Sequence, residues 1–173
     1  MKKVALTDFA KYRYPSALEL SPDGRYLTFA LKEVDREGDG YRWNLWLYDL
    51  ESRESRQITR GDDQRQAVWE DNTHILYKTT ELDEAMRARG FEEEWTVYHR
   101  LNVCTGEECE AFRLPMSVSG LWKMDEGRYV FTGETHLDRP NLLELTGEAL
   151  EKELVRRQQT KGYKVLTELP LCE

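Results

Sequence analysis

The chain has 173 residues, which is the length of one ordinary domain and too short for a β-propeller joined to an α/β enzyme domain. Hydrophobic residues make up 39% and charged residues 34%, so the composition excludes disorder over the whole length and predicts a strongly ionic surface. The formal net charge of -8 at pH 7 disfavours binding along a phosphate backbone, so nucleic acid is not an expected partner.

Signals for secretion or membrane insertion are missing from the sequence. The start reaches Asp8 before an apolar stretch of about seven residues can form, and no run of about 18 apolar residues occurs anywhere. Three cysteines are an odd number in a chain that does not need disulfide staples, which fits a reducing compartment. We therefore expect a cytoplasmic protein without a membrane partner.

After a lead-in over residues 1–16, the chain reads as short strands separated by turns. Ser21-Pro22-Asp23-Gly24 predicts a tight turn, because Pro22 presets φ and Gly24 accepts a positive φ. Runs rich in apolar and aromatic residues flank this turn and follow it. They predict four strands, at residues 17–20, 25–31, 43–50 and 55–59.

The same order of strand, acidic turn and aromatic strand recurs twice. Asp71 and Asn72 take the places of Asp23 and Gly24 in the second copy, and Asp125 and Gly127 form the turn of the third. The three turn aspartates Asp23, Asp71 and Asp125 are separated by 48 and then 54 positions, close to the period of about 40 to 50 residues of propeller blades. The later strand pair recurs as well, at 95–102 and 110–114.

Two segments break the strand pattern. Residues 82–90 predict a short helix closed by a glycine, inserted between strands of the second unit. Residues 146–159 carry apolar side chains at Leu150, Leu154 and Val155 among charged ones, which predicts an exposed amphipathic helix. Residues 163–170 have the composition of a further strand.

These elements predict an all-β fold, a partial β-propeller of four-stranded antiparallel blades with one short and one longer inserted helix. We place blade 1 at 17–61, blade 2 at 62–115 and part of a third blade at 116–173. Such meanders cannot bury both faces alone and need neighbouring units. A β-sandwich is the alternative, although a sandwich needs no regular repeat. Open strand edges also predict a homo-oligomer.

The run from Leu20 to Phe29, with its Ser-Pro-Asp-Gly turn, resembles the blade motif of WD40-like propellers in TolB-type proteins and in the prolyl oligopeptidase (S9) family of serine peptidases. Two further runs are similar to the first blade of acylaminoacyl-peptidase-like members. They are 44–50 followed by 56–61, and 8–10 leading to Tyr14-Pro15.

In that family a propeller caps the α/β-hydrolase domain that follows it and admits only small peptides. The resemblance therefore implies a non-catalytic amino-terminal propeller fragment of a serine peptidase of the dipeptidyl aminopeptidase or acylaminoacyl-peptidase type. Its partners would be the missing carboxy-terminal blades and the hydrolase domain. The alternative is a stand-alone TolB-like module that binds another protein through the propeller face or the helix at 146–159.

No catalytic residue, metal site or cofactor is predicted. A hydrolase elbow needs Gly-x-Ser-x-Gly, and of the six serines only Ser119 is followed by glycine, with Val118 before it. The histidines His74, His99 and His136 have no metal-site spacing. The cysteines Cys104 and Cys109 bracket one turn and Cys172 lies far away, so they read as free thiols.

Glu92, Glu93 and Glu94 are the candidate substrate-binding residues. In dipeptidyl-peptidase members of the family, a glutamate pair from a propeller insertion binds the free amino terminus of the substrate. An ammonium ion that enters a dry cavity needs such a carboxylate partner. The cluster follows the predicted short helix, in a comparable position. A solvated acidic loop is the alternative interpretation.

The five tryptophans recur at matching positions in the repeated units, which predicts packing between blades rather than a stacking platform for sugars or bases. They are Trp43, Trp46, Trp69, Trp95 and Trp122.

Overall fold

A computed structural model describes residues 8–35, 40–79, 95–114, 116–125, 127–134, 140 and 144–159. In these ranges a short 3-10 helix (Asp8–Lys11) precedes a series of antiparallel strands, and one α-helix follows them. That helix is neither long nor apolar enough to cross a membrane.

Sheet 1 is a meander in which each strand pairs with the next along the chain. Its strands are β1 (Tyr14–Leu20), β2 (Tyr26–Asp35), β3 (Gly40–Asp49) and β4 (Glu54–Gln57). The register is regular over the whole of β2 and β3, whereas β1 contains a bulge between Ser16 and Glu19. Ala17 lies in this bulge with a φ of 49°.

Sheet 2 repeats this topology. Its strands are β5 (Ala67–Trp69), β6 (His74–Thr79), β7 (Thr96–Asn102) and β8 (Glu108–Leu114), again in chain order and antiparallel. Sheet 3 is a hairpin of β9 (Ser117–Asp125) and β10 (Arg128–Glu134). Two four-stranded meanders and part of a third confirm the predicted fold class.

Helix α1 (Gly147–Gln159) covers the predicted amphipathic segment. Glu148 lies in its first turn and basic residues lie in its last turn, an arrangement that suits the helix dipole. Leu154 is buried and packs with Leu150 and Leu145 against Trp95. Val155, which the pattern placed on the apolar face, is exposed instead and is not part of this cluster.

Several predicted features lie outside the described residues. They are the short helix at 82–90, the strand at 163–170, His136 and Cys172. The boundaries assigned to the lead-in and to the three blades stay predictions.

Candidate functional site

The first interface between sheets joins sheet 1 to sheet 2. Ala30, Leu45 and Leu47 of sheet 1 meet a row of apolar side chains on sheet 2, among them Trp69 and Ile75. The side chains of β2 and β3 alternate between the two faces of sheet 1, so one face supplies all three residues. This interface is the largest apolar cluster in the described part of the chain.

Trp69 is the centre of that interface. Its ring stacks on Tyr26 with centroids 6.4 Å apart, and its indole N–H donates to the backbone oxygen of Glu19 at 3.2 Å. A tryptophan that is both stacked and hydrogen-bonded across an interface fixes the distance and the rotation between the two sheets.

The opposite face of sheet 2 packs against sheet 3. Val68, Leu76 and Tyr98 meet Val118 and Leu121 of β9. Burial raises the pKa of Tyr98 to about 12. Since both faces of sheet 2 are covered, it occupies the middle of a three-sheet stack.

Glu70 joins sheets 2 and 3 through polar contacts at the end of β5. Its carboxylate forms a bidentate ion pair with Arg100 of β7, in which Nη2 lies 2.8 Å from Oε1. The hydroxyl of Tyr129, on β10, donates to the same oxygen at 2.9 Å. The ammonium group of Lys123, on β9, donates to the backbone oxygen of Glu70.

These contacts shift the ionisation of the groups involved. The hydrogen bonds from Arg100 outweigh the effect of burial, and the Tyr129 hydroxyl adds to them, so the pKa of Glu70 is lowered from 4.5. Burial and the neighbouring Glu70 carboxylate raise the pKa of Tyr129 to about 12. Glu70 is therefore a carboxylate at neutral pH, paired with Arg100 inside sheet 2 and joined to sheet 3 by the Tyr129 hydroxyl.

The Ser-Pro-Asp-Gly turn is closed by the Ser21 side chain. Its hydroxyl accepts the Tyr26 backbone N–H at 2.8 Å and donates to Asp23 at 2.6 Å. Asp23 also accepts the Arg25 N–H at 3.1 Å, and the bonds from Ser21 and Arg25 lower its pKa. Gly24 has a φ of 74°, as the turn signature requires.

The second turn differs from the first in its conformation. Asp71 accepts the N–H groups of Thr73 and His74 at 2.7 and 2.8 Å. Burial favours a higher pKa for Asp71, but these bonds and the His74 side chain lower it to about 2. Asn72 does not take the role of Gly24 that we predicted for it, because this loop is one residue shorter. Described non-glycine residues with a positive φ are Ala17, Arg53 and Asp62.

The third turn combines a glycine with an ion pair. Gly127 has a φ of 78°, and Arg128 donates from Nε to Asp125 at 2.7 Å. The hydrogen bond from Arg128 lowers the pKa of Asp125. The three turns therefore use different side-chain contacts to form hairpins of the same kind.

Removing the Ser21 hydroxyl tests the importance of the first turn. Ser21 is buried, so we expect S21A to lower the free energy of unfolding by about 1 to 3 kcal/mol, since the Tyr26 N–H loses its buried acceptor. Chemical denaturation measures the change, and S52A, at an exposed serine in the β3–β4 turn, is the control. Equal midpoints for the two variants would contradict this role of Ser21.

A half-open groove of about 290 Å³ lies where sheets 1 and 2 meet. At its wall, Glu108 accepts the Tyr77 hydroxyl at 2.5 Å and lies 2.5 Å from Nδ1 of His99. This cluster links β6, β7 and β8. None of the described residues that line the groove is a serine.

The two cysteines of the β7–β8 hairpin lie in different surroundings. Cys104 is 3.8 Å from the Tyr26 hydroxyl, on the side of sheet 1. Cys109 pairs in register with Arg100, the residue that reaches towards sheet 3. Both thiols are free and exposed. Within the described ranges, no group of three or more His, Cys, Asp or Glu is placed to hold a metal ion.

The predicted substrate-binding residues Glu92, Glu93 and Glu94 lie outside the described residues, so their role stays a prediction. Sequence reasoning did not single out Glu70 or Arg100. Both lie within repeated runs, but nothing in those runs distinguishes them from their neighbours. Their side chains meet because β5 and β7 both pair with β6.

The tryptophans have several roles rather than one. Trp69 lies in an interface between sheets, and Trp95 packs against α1. Trp46 stacks on Phe29 on the face of sheet 1 that points away from sheet 2, with ring centroids 6.5 Å apart. Trp43 stacks against the guanidinium of Arg65. Trp122 is exposed on sheet 3.

Comparison with known proteins gives a match in structure only. No family model matches the chain, and no curated protein matches it. The β-propeller domain of the Trilobed protease from Pyrococcus furiosus aligns with a TM-score of 0.52 and 14% identity, over 71% of this chain and 34% of that one.

Two peptidase structures align similarly. The acylaminoacyl peptidase of Pyrococcus horikoshii has a TM-score of 0.57 and 12% identity, over 76% of this chain and 19% of that one. An acylaminoacyl peptidase in complex with Z-Gly-Gly-Phe-chloromethyl ketone has a TM-score of 0.54 and 14% identity, over 75% and 19%.

At these identities the likeness establishes the fold, which is that of part of a β-propeller. The chain spans about a third of the Trilobed protease propeller and about a fifth of each acylaminoacyl peptidase. The structures to which it is similar are the propeller-bearing peptidases that the Ser-Pro-Asp-Gly resemblance indicated.

Proposed function

We propose that this chain is a non-catalytic portion of the propeller of an S9-like serine peptidase, where it restricts access to peptides small enough to enter. The observation that carries the proposal is the alignment of about three quarters of the chain with acylaminoacyl peptidases of which it spans about a fifth. The catalytic centre would then be supplied by a different part of the longer protein.

The structure of the stack supports a restricting role. Sheet 2 is covered on both faces by apolar contacts, and its Glu70 carboxylate accepts a hydrogen bond from Tyr129 of sheet 3. Separating the sheets would expose these side chains to water at about 25 cal/mol for each Å² of apolar surface. A stack of this kind can exclude large substrates, because its sheets do not separate readily.

Hydrolysis of reporter substrates tests the proposal. We expect the 173-residue chain to hydrolyse neither aminoacyl nor acylaminoacyl p-nitroanilides, and we expect activity in a longer product of the same reading frame. In that product, variants that loosen the sheet interfaces should raise kcat/KM for long peptides relative to dipeptides. A stain-free gel and circular dichroism control for intact, folded protein.

The reading frame itself separates the two functional hypotheses. A frame that continues into an α/β-hydrolase sequence supports the peptidase proposal. A natural stop codon after Glu173, together with recovery of one defined protein partner, would contradict it and favour a stand-alone interaction module.

A further inference from the structure

The strand registers define equivalent positions in the three sheets. The first hairpin of each sheet has a last pair of directly opposed residues before its turn. In sheet 3 we take the last pair before the bulge, which excludes Asp125 and Arg128. Both residues of such a pair point to the same face of their sheet. The equivalent pairs are Leu20–Leu27, Trp69–Ile75 and Lys123–Tyr129.

One uncovered surface lies on sheet 3, on the face that points away from sheet 2. By this equivalence Trp122 corresponds to Val68 and Val130 corresponds to Leu76. Val68 and Leu76 are 4% and 0% exposed because sheet 3 covers them, whereas Trp122 and Val130 are 46% and 48% exposed. With Met124, which is 66% exposed, Trp122 and Val130 form what we call the tail face.

A second surface that no described sheet covers lies on sheet 1, on the face that points away from sheet 2. Leu20, Leu27 and Phe29 occupy the positions equivalent to three sheet 2 residues that sheet 1 buries. Leu20 is 55% exposed and Leu27 and Phe29 are half-buried, whereas Leu31, further along the same face, is buried. We call these residues the head face. The three equivalent residues on sheet 2 are Trp69, Ile75 and Tyr77.

We propose that, in the 173-residue chain by itself, the tail face of one copy packs on the head face of a second copy, in the arrangement by which successive sheets pack within one copy. Sheets pack face to face in this way at both interfaces within one copy, between sheets 1 and 2 and between sheets 2 and 3. The tail face and the head face carry apolar side chains at the equivalent positions, so a second copy can extend the same packing. Because the two faces differ, the contact is heterologous, and it produces a ring or an open chain of copies.

The chemistry of the two faces fits this occupant. In the contact between sheets 2 and 3, the Lys123 ammonium donates to the backbone oxygen of Glu70, the residue after Trp69. By the same equivalence Met124 takes the Glu70 position at the proposed contact and Leu20 takes the Lys123 position. Two apolar side chains therefore meet where a lysine reaches a backbone oxygen in the intrachain contact, and neither of them brings a charge into the interface.

Two variants test the proposal. L20E places a carboxylate on the head face, and W122E places one on the tail face. Each is expected to reduce the mass in light scattering from at least twice 20.5 kDa to the monomer value, because neither variant can form a like-with-like contact. Mixing the two restores a 1:1 dimer, since W122E keeps an intact head face and L20E keeps an intact tail face.

L50E is the matched control, since Leu50 is 45% exposed in the β3–β4 turn and belongs to neither face. It should associate like the unmodified chain. Circular dichroism checks that each variant is folded. Dimer formation on mixing shows that W122E retains a working head face and that L20E retains a working tail face.

Three results would overturn the proposal. A strictly monomeric unmodified chain at high concentration would show that another polypeptide, or a later segment of a longer chain, covers these faces. Loss of association in W122E but not in L20E would show a symmetric tail-to-tail contact. Association that survives both substitutions would place the contact at the open strand edges.

Discussion

Replacing Trp69 by alanine is expected to lower the free energy of unfolding by about 4 kcal/mol. The substitution removes a nearly fully buried ring from the centre of the interface between sheets 1 and 2. It also removes the stacking on Tyr26 and leaves the backbone oxygen of Glu19 without the indole donor. Urea denaturation at one fixed protein concentration measures the effect.

Trp122 provides the matched control for this substitution. At a protein concentration where the chain is monomeric, W122A removes the same side chain from a half-exposed position, so the expected loss is below about 1 kcal/mol. Similar losses for W69A and W122A would mean that burial between sheets 1 and 2 does not determine stability. That result would contradict the three-sheet stack as the source of rigidity.

Replacing Glu70 by glutamine is expected to lower the free energy of unfolding by about 2 kcal/mol, with the effect concentrated where sheets 2 and 3 meet. Glutamine keeps the shape but loses the charge that holds Arg100, and Arg100 then lacks its bidentate partner. Native-state hydrogen exchange should show faster exchange in β7 and β10, which carry Arg100 and Tyr129, with little change in the core of sheet 1. Uniform loss of protection would contradict a local role.

The pH dependence follows from the lowered pKa of Glu70. A carboxyl group whose pKa is lower in the folded state contributes stability that is present above its unfolded pKa. That contribution is lost as the pH falls through the folded value. We therefore expect the difference in stability between the unmodified chain and E70Q to shrink below about pH 4.5.

Asp125 is the control for Glu70. Its ion pair with Arg128 lies at the surface, where solvent screening leaves such pairs little effect on stability, so D125N should be nearly neutral. Equal losses of stability for D125N and E70Q would show that the effect depends only on removing an acidic charge near sheet 3, and not on the contacts of Glu70.

Much of the fold could be predicted because its signals are local. The Ser21-to-Gly24 turn and the alternation along β2 and β3 depend only on neighbouring residues, and they place the first meander correctly. The conformation of a turn could not be predicted from the repeat where the number of loop residues changed. Asn72 resembles Gly24 in sequence position, but a loop one residue shorter is closed by the Asp71 side chain instead.

By itself the sequence determined strand order, hairpin turns and the propeller resemblance, because these depend on short-range chemistry and on the period of the repeat. Only the tertiary structure decided which face of each sheet is covered and which carboxylate joins two sheets. Those features depend on strand pairing and sheet packing between residues far apart in the chain, such as Arg100 of β7 and Tyr129 of β10 around Glu70. The same pairing and packing left Trp122 exposed and Trp69 buried, although both tryptophans look equally apolar in the sequence.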